Sequence, residues 1–199
     1  RLSFVEAGIL AGKPGINSEG LGIAVNGMYS TSDDWSRFHK PFHVRCYEIL
    51  RSKSLNEALN VLTDTPRSCT ANFLLGHADQ GAIDIELAPE TMNIINPVKD
   101  ILFHANHFVD PEILNITEPP NPRRYLSEFR HKQMGSLLLK HKPLDVEKMK
   151  NILCNHENHP QSICRHSDNS LPISQQTTTR TSMIMDLKEK SIWYSNGNP

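Results

Sequence analysis

Apolar positions recur at short, strand-like spacing in seven stretches of this chain: Leu2–Leu10, Leu21–Tyr29, Thr70–His77, Ala82–Ala88, Met92–Ile95, Ile101–Phe108 and Thr181–Ser195. Most are rich in Ile, Val, Phe or Leu and are closed off by Gly, Pro, Asn or Asp, as strands are. Helical patterns lie between them. Phe42–Leu50 follows Pro41, and Ser54-Leu55-Asn56-Glu57 reads as a capping box that opens Leu55–Leu62. Arg124–Lys140 carries Leu126, Phe129, Met134, Leu137 and Leu138 at helical spacing, and Asp145 is placed to cap Val146–Cys154. The proline-rich segment 111–122 reads as a loop, and the polar segment 167–179 as a loop or strand lead-in. Strands, paired helices, strands, paired helices, strands: this order predicts antiparallel sheets with helices grouped on their outer faces rather than βαβ alternation.

Within that pattern, residues 6–28 are unusual for their glycines, at 8, 12, 15, 20, 22 and 27. Glycine lets the backbone take positive φ or pass close to another group. Two readings follow: a hairpin with a turn over 13–20, and a main chain against which a ligand lies.

Composition narrows the class. A chain of 199 residues with 38% hydrophobic and 22% charged content suits one globular domain spanning 1–199 with its own core. The formal net charge of −1 argues against a nucleic-acid surface, and no run of 18 apolar residues offers a membrane span. Cys46, Cys69, Cys154 and Cys164 form no C-x-x-C pair, which points to reduced thiols and a cytoplasmic location. The chain opens on Arg1-Leu2-Ser3-Phe4-Val5 with neither an initiator Met nor a signal pattern, so it reads as part of something longer.

Several groups are candidates for chemistry. The pairs His104/His107 and His156/His159, the second near Cys154, Cys164 and His166, are residue types that bind zinc. In a strand residues three apart face opposite sides, which weakens His104/His107, and after a helix and before Pro160 the spacing of His156/His159 predicts little, so no metal and no cofactor is expected. In Phe103-His104-Ala105-Asn106-His107-Phe108 an apolar run ends in polar groups, where an Asn amide can donate to a developing oxyanion or merely close a turn. Cys164-Arg165-His166 sets a cation and an imidazole beside a thiol, the elements of a Cys–His hydrolase. Glu6, Asp84 and Glu86 form no recognisable carboxylate pair, and Gly12-Lys13 is no phosphate-binding loop.

Taken in order, Glu6-Ala7-Gly8, the segment Gly15 to Asn26, His104-Ala105-Asn106-His107, Ser162-Ile163-Cys164-Arg165, Ser182-Met183-Ile184-Met185-Asp186 and Gly197-Asn198-Pro199 resemble the acyl-coenzyme A:isopenicillin N acyltransferase family of the N-terminal nucleophile (Ntn) hydrolases. The resemblance covers nearly the whole chain. It implies an α+β fold, an αββα sandwich of two antiparallel sheets between helical layers, here lacking its N-terminal strands. It also implies an acyltransferase or amidohydrolase whose nucleophile is a Cys freed as an N-terminus by autoproteolysis, with its α-amino group as base. That Cys would lie upstream of Arg1. Asn106 is then the oxyanion donor, Asn26 a second residue lining the site, and Arg165 a substrate-binding residue, while the family's catalytic Arg finds no match in register, Arg180 being several residues off. The expected partners are a small acyl amide or acyl-CoA, the upstream segment, or a second copy of the chain. The alternative is a catalytically inactive remnant or binding module of the same fold.

Overall fold

The structure, a computed structural model, describes residues 1–9, 12–64 and 66–199. Leu10, at the end of the first expected strand, lies outside the described residues. Among the described residues there are eight strands, β1 (Leu2–Ser3), β2 (Gly15–Ile16), β3 (Leu21–Gly27), β4 (Ala71–His77), β5 (Gly81–Leu87), β6 (Met92–Ile95), β7 (Met183–Asp186) and β8 (Ser191–Tyr194). Four helices accompany them, α1 (Phe42–Ile49), α2 (Leu55–Thr63), α3 (Arg124–Lys140) and α4 (Val146–Leu153). The six strands β1–β6 form one sheet with every neighbouring pair antiparallel, and β7 and β8 form a separate two-stranded sheet. The α+β class expected from the element order is what the chain adopts. By contacts the chain divides into two compact units, residues 1–124 with 185–191, and residues 125–184 with 192–199.

In the first unit the sheet runs β1-β2-β3-β4-β5-β6, and β3, β4 and β5 pair along seven residues each. Strict alternation sends Leu21, Ile23, Ala71, Phe73, Leu75, Ile85 and Leu87 to one face, where they bury against Cys46, Ile49 and Leu50 around α1 and Ala58 and Leu62 of α2. Continuous apolar burial of this kind is the main stabilising term of the unit. Both helices start where the sequence places them. Ser54 Oγ accepts from Glu57 N at 3.2 Å, while Glu57 Oε2 accepts from Lys53 N at 2.8 Å, a capping box shifted by one residue. Asp145 caps α4 in the same way, accepting from Lys148 N at 2.8 Å.

The opposite face of the sheet carries small and polar residues, among them Gly22, Asn26, Asn72, Gly76, Asp84 and Glu86. Gly22 and Gly76 are cross-strand partners. A Cβ at Gly22 would stand 2.5 Å from Leu187 Cδ2, and one at Gly76 would stand 2.8 Å from Leu187 Cδ1. What lies against this main chain is thus a leucine side chain of the protein itself.

Two expectations change. Ile101–Phe108 forms no strand; its single ladder contact is the bridge Val98↔Ile101. The hydrogen bonds that would have built a ladder are taken instead by side chains, as the site shows. Thr181–Ser195 is a hairpin, not one strand: Asp186 Oδ1 accepts from Lys188 N at 3.0 Å and Glu189 N at 2.9 Å, and Lys190 takes φ 54° to reverse the chain. In the second unit α3 and α4 match their expected spans, and the polar segment 167–179 is irregular apart from a 3-10 turn at Ile173–Gln175.

The glycine-rich segment does form a hairpin, and its turn is closed by Asn17. The buried Asn17 Oδ1 accepts from Glu19 N at 2.9 Å and Leu21 N at 3.0 Å, and Nδ2 donates to Ser52 O at 2.7 Å. One side chain therefore shapes the β2–β3 turn, where Gly20 takes φ +83°, and ties it to the α1–α2 connection. Asn17→Ala leaves these buried backbone groups unsatisfied and should cost about 2–3 kcal/mol. Urea unfolding measures this; a midpoint equal to that of the parent protein would overturn the assignment.

Candidate functional site

The register of the sheet aligns Asn26 with Asn72, Asn72 with Glu86, and Glu86 with Asn93, a polar row across four strands. Asn26 Nδ2 donates to Asn72 Oδ1 at 2.9 Å, and Asn72 Nδ2 donates to Asp84 Oδ1 at 2.5 Å. Asn72, Asp84 and Glu86 are fully buried. Asp84 and Glu86, two residues apart on β5, share a face, and His104 sits above them. Its Nε2 is 2.9 Å from Glu86 Oε1 and 4.0 Å from Asp84 Oδ2, while its Nδ1 is 2.7 Å from Ala105 O. A carbonyl and a carboxylate only accept, so both ring nitrogens carry hydrogen and His104 is an imidazolium paired with Glu86.

Titration directions agree with this. Burial acts to lower the His104 pKa, but the Glu86 hydrogen bond and both carboxylates hold it above its ordinary value. Burial acts to raise Glu86, yet hydrogen bonds from His104 and from Val109 N hold it below. Asp84 goes the other way: burial pushes it up against the pull of His104 and Asn72. A carboxylate pair in a shared site is expected to split like this.

The same contacts hold Asn106. Ahead of it stands His104 on Glu86; behind it, Val109 N donates to the same Glu86 Oε1 at 2.7 Å. Phe108 is clamped on both sides of its backbone, donating to Glu118 Oε1 at 3.3 Å and accepting from Arg124 Nη2 at 3.2 Å, with Glu118 and Arg124 themselves paired. The Phe108 ring is fully buried with Met28 and Ala88. Asn106 is left exposed at the crest of this pinned segment, and its Nδ2 donates to Gly27 O at 3.2 Å, next to Asn26. Two of the sequence candidates, Asn26 and Asn106, are thus brought together at the end of β3.

A cleft of about 460 Å³ opens at Gly27 and is walled by Tyr29, Trp35, Phe42 and Cys69. Trp35 is 73% exposed. Arg165, the third candidate, belongs to the second unit. There its N–H donates to Thr179 Oγ1 at 2.9 Å, its Nη1 donates to Thr177 Oγ1 at 3.4 Å, and burial pushes its pKa down. Three of the four thiols are poorly set up for attack: burial pushes Cys46 up to about 12 and raises Cys69 and Cys164 as well. Cys164 does reach His166, with Sγ 3.7 Å from Nε2, but as a buried thiol.

Sequence reading missed the partners of Asn106. His104 and His107, assigned to opposite faces of a strand, lie on an irregular segment with ring centroids 6.4 Å apart. The pairing of Asp84 and Glu86 was visible in Ala82-Ile83-Asp84-Ile85-Glu86-Leu87, where the acids alternate with the core residues of β5 and so must share the other face. No comparable signal marked Asn72, Glu118 or Arg124.

A family profile described as acyl-coenzyme A:6-aminopenicillanic acid acyl-transferase matches residues 3–199. No curated protein sequence matches. Among solved structures, an arginine-to-leucine variant of conjugated bile acid hydrolase from Clostridium perfringens is similar with a TM-score of 0.66 at 13% identity, covering 98% of this chain and 72% of that one. A cysteine-to-alanine mutant of the same hydrolase is similar with a TM-score of 0.65, at the same identity and coverage. At such identity the likeness concerns the fold, that of the Ntn hydrolases.

The ion pair makes stability depend on pH in a defined sense. His104, held above 6.5, contributes stability that is complete below 6.5 and lost as pH rises through its raised value. Glu86, held below 4.5, contributes stability that is complete above 4.5 and lost as pH falls through its lowered value. The destabilisation caused by His104→Gln should therefore be greatest between pH 4.5 and 6.5 and shrink on the alkaline side. Urea unfolding of both proteins across pH tests it, and a pH-independent difference would refute the pairing.

Proposed function

The chain belongs to the acyl-coenzyme A:6-aminopenicillanic acid acyl-transferase family, and on that premise we propose that it transfers or hydrolyses an acyl group held as an amide or thioester. The nucleophile in this reading is a cysteine upstream of Arg1, exposed as an N-terminus by autoproteolysis. Its thiol adds to the acyl carbonyl carbon while its own α-amino group takes the thiol proton. Collapse of the tetrahedral intermediate expels the amine or thiol, which receives that proton, and leaves a cysteinyl thioester. Water or an acceptor amine then attacks the thioester and frees the cysteine.

Asn106 is the oxyanion donor of this scheme, and Asn26 lines the site beside it. The observation that carries the assignment is the way Asn106 is held: exposed itself, but fixed through residues 104, 108 and 109 and aligned by the Gly27 carbonyl. A donor held in place before reaction stabilises developing charge without reorganising, which is where such groups gain their effect. The cleft beyond Gly27, with Trp35 and Phe42 in its walls, suits an apolar acyl chain and falls within the size range of small-molecule sites. The four free thiols support a reducing compartment, the cytoplasm.

In protein carrying the upstream cysteine, Asn106→Ala should lower kcat about 100- to 1000-fold. Trp35→Ala should raise KM for acyl substrates with little change in kcat, since it removes binding common to ground and transition states. Steady-state kinetics with N-acyl amines and acyl thioesters separate the two. Unchanged turnover in Asn106→Ala would reject the oxyanion role, and no turnover in the parent protein would leave a binding module of the same fold.

A further inference from the structure

The second unit holds a cluster that the acyl-transfer reading does not use. Just beyond α4, the Nε2 atoms of His156 and His166 lie 2.8 Å apart, and Cys164 Sγ lies 3.7 Å from His166 Nε2. All three donor atoms fall within 4.8 Å of one another. The His159 ring flanks them, its centroid 5.1 Å from that of His166 and 6.3 Å from that of His156. The three imidazoles lie tilted by 34–41° to one another beside one thiol, and the His156–His166 hydrogen bond is one that water would serve as well.

We propose that His156, Cys164 and His166 form a binding site for a zinc-class divalent cation. Two imidazole nitrogens and one thiolate are the donors that zinc prefers over magnesium or calcium. Bonds of about 2.0 Å to nitrogen and 2.3 Å to sulfur at tetrahedral angles would put the nitrogens about 3.3 Å apart and nitrogen and sulfur about 3.6 Å apart. The observed 2.8 Å and 3.7 Å need the imidazoles to part by roughly half an ångström. His156 is exposed and can make that movement, whereas Cys164 is buried and stays. The fourth position falls to His159 or to water.

The surrounding backbone is built to present these donors. Cys164 N donates to Asn155 O at 3.0 Å, His166 N to Pro160 O at 2.9 Å, and His159 N to His156 O at 3.0 Å, so the segment 155–166 is folded back on itself. Ser162, fully buried, donates through Oγ to Cys164 O. Near the chain end, Asn198 Nδ2 donates to Arg165 O at 2.7 Å and approaches Cys164 Sγ at 3.8 Å, the outer-shell donor that a metal-bound thiolate calls for. The cation would brace the loop after α4, whose Cys164 already contacts Asn198 Nδ2 and Pro199 O, a structural role distinct from the acyl site of the first unit.

Cobalt(II) and zinc(II) test the site directly on the full chain, first stripped with chelator. One equivalent of cobalt should bind with a thiolate-to-cobalt charge-transfer band and the d–d bands of a tetrahedral centre, zinc should displace it, and zinc should raise Tm. Cys164→Ser should abolish the charge-transfer band, and His166→Ala should weaken binding about 100-fold or more, while Cys69→Ser should leave both signals intact. Absence of a charge-transfer band in the parent chain, or its persistence in Cys164→Ser, would overturn the proposal whether or not the variants are stable. Acyl-transfer activity is not a readout here, so the outcome is independent of the assignment of Asn106.

Discussion

One buried contact sets the form of the first unit: the Glu86 carboxylate against the His104 imidazolium. Glu86 is fully buried on a sheet face that would otherwise be free to take apolar residues. A charge so placed is tolerated only when paired and hydrogen-bonded, and removing one partner of such a pair costs about 3–5 kcal/mol. Here a single oxygen, Oε1, serves both His104 Nε2 and Val109 N. The two ends of residues 104–109 are thereby drawn to one atom, and the chain between them must arch away from the sheet. That arch is why an apolar run with strand composition forms no strand.

The opposite face of the sheet makes this affordable. Its nine alternating apolar positions on β3, β4 and β5 pack on α1 and α2 as one continuous core, so stability there does not depend on the polar face. The polar face is then free to hold a connected network, Asn26 to Asn72 to Asp84, with His104 and Glu86 adjoining. These bonds hold Asn26, Asn72 and Asp84 in one arrangement, while Asp84 Oδ2 and Glu86 Oε2 stay buried without a partner among the described residues. Functional groups need such support from behind, and Asn106 has it on both sides.

Much of this architecture was legible in the sequence, for a local reason. Leu21–Gly27, Ala71–His77, Gly81–Leu87 and Met92–Ile95 each announce themselves by alternation and by polar ends, and Arg124–Lys140 by its helical spacing. Ser54 and Asp145 mark their helices through bonds that span three residues. Residues 101–108 were misread because what decides their conformation lies elsewhere in the chain, at Glu86, Glu118 and Arg124. Gly22 belongs to the glycine-rich segment where a ligand could lie against main chain, and only the fold could reveal that Leu187 fills that space over Gly22 and its cross-strand partner Gly76. For the site, Asn106 and Asn26 stood out by their place in a motif, whereas Asn72 and Arg124 have no distinguishing neighbours in sequence.

The opposite shifts of Asp84 and Glu86 explain how three ionisable groups share one dry site. Glu86 is held below its ordinary value by His104 and Val109 N, while burial pushes Asp84 above its own. Asn72 donates to Asp84 Oδ1, and Asp84 Oδ2, 4.0 Å from His104 Nε2, is buried without a hydrogen-bond partner among the described residues. The pairing of His104 with Glu86 sets opposite charges against each other, the arrangement that burial tolerates. Separating two carboxylates by environment is a common way to give them different tasks. In this fold the division is structural: Glu86 anchors the arch that carries Asn106, and Asp84 lies beside that pair, tied through Asn72 to Asn26.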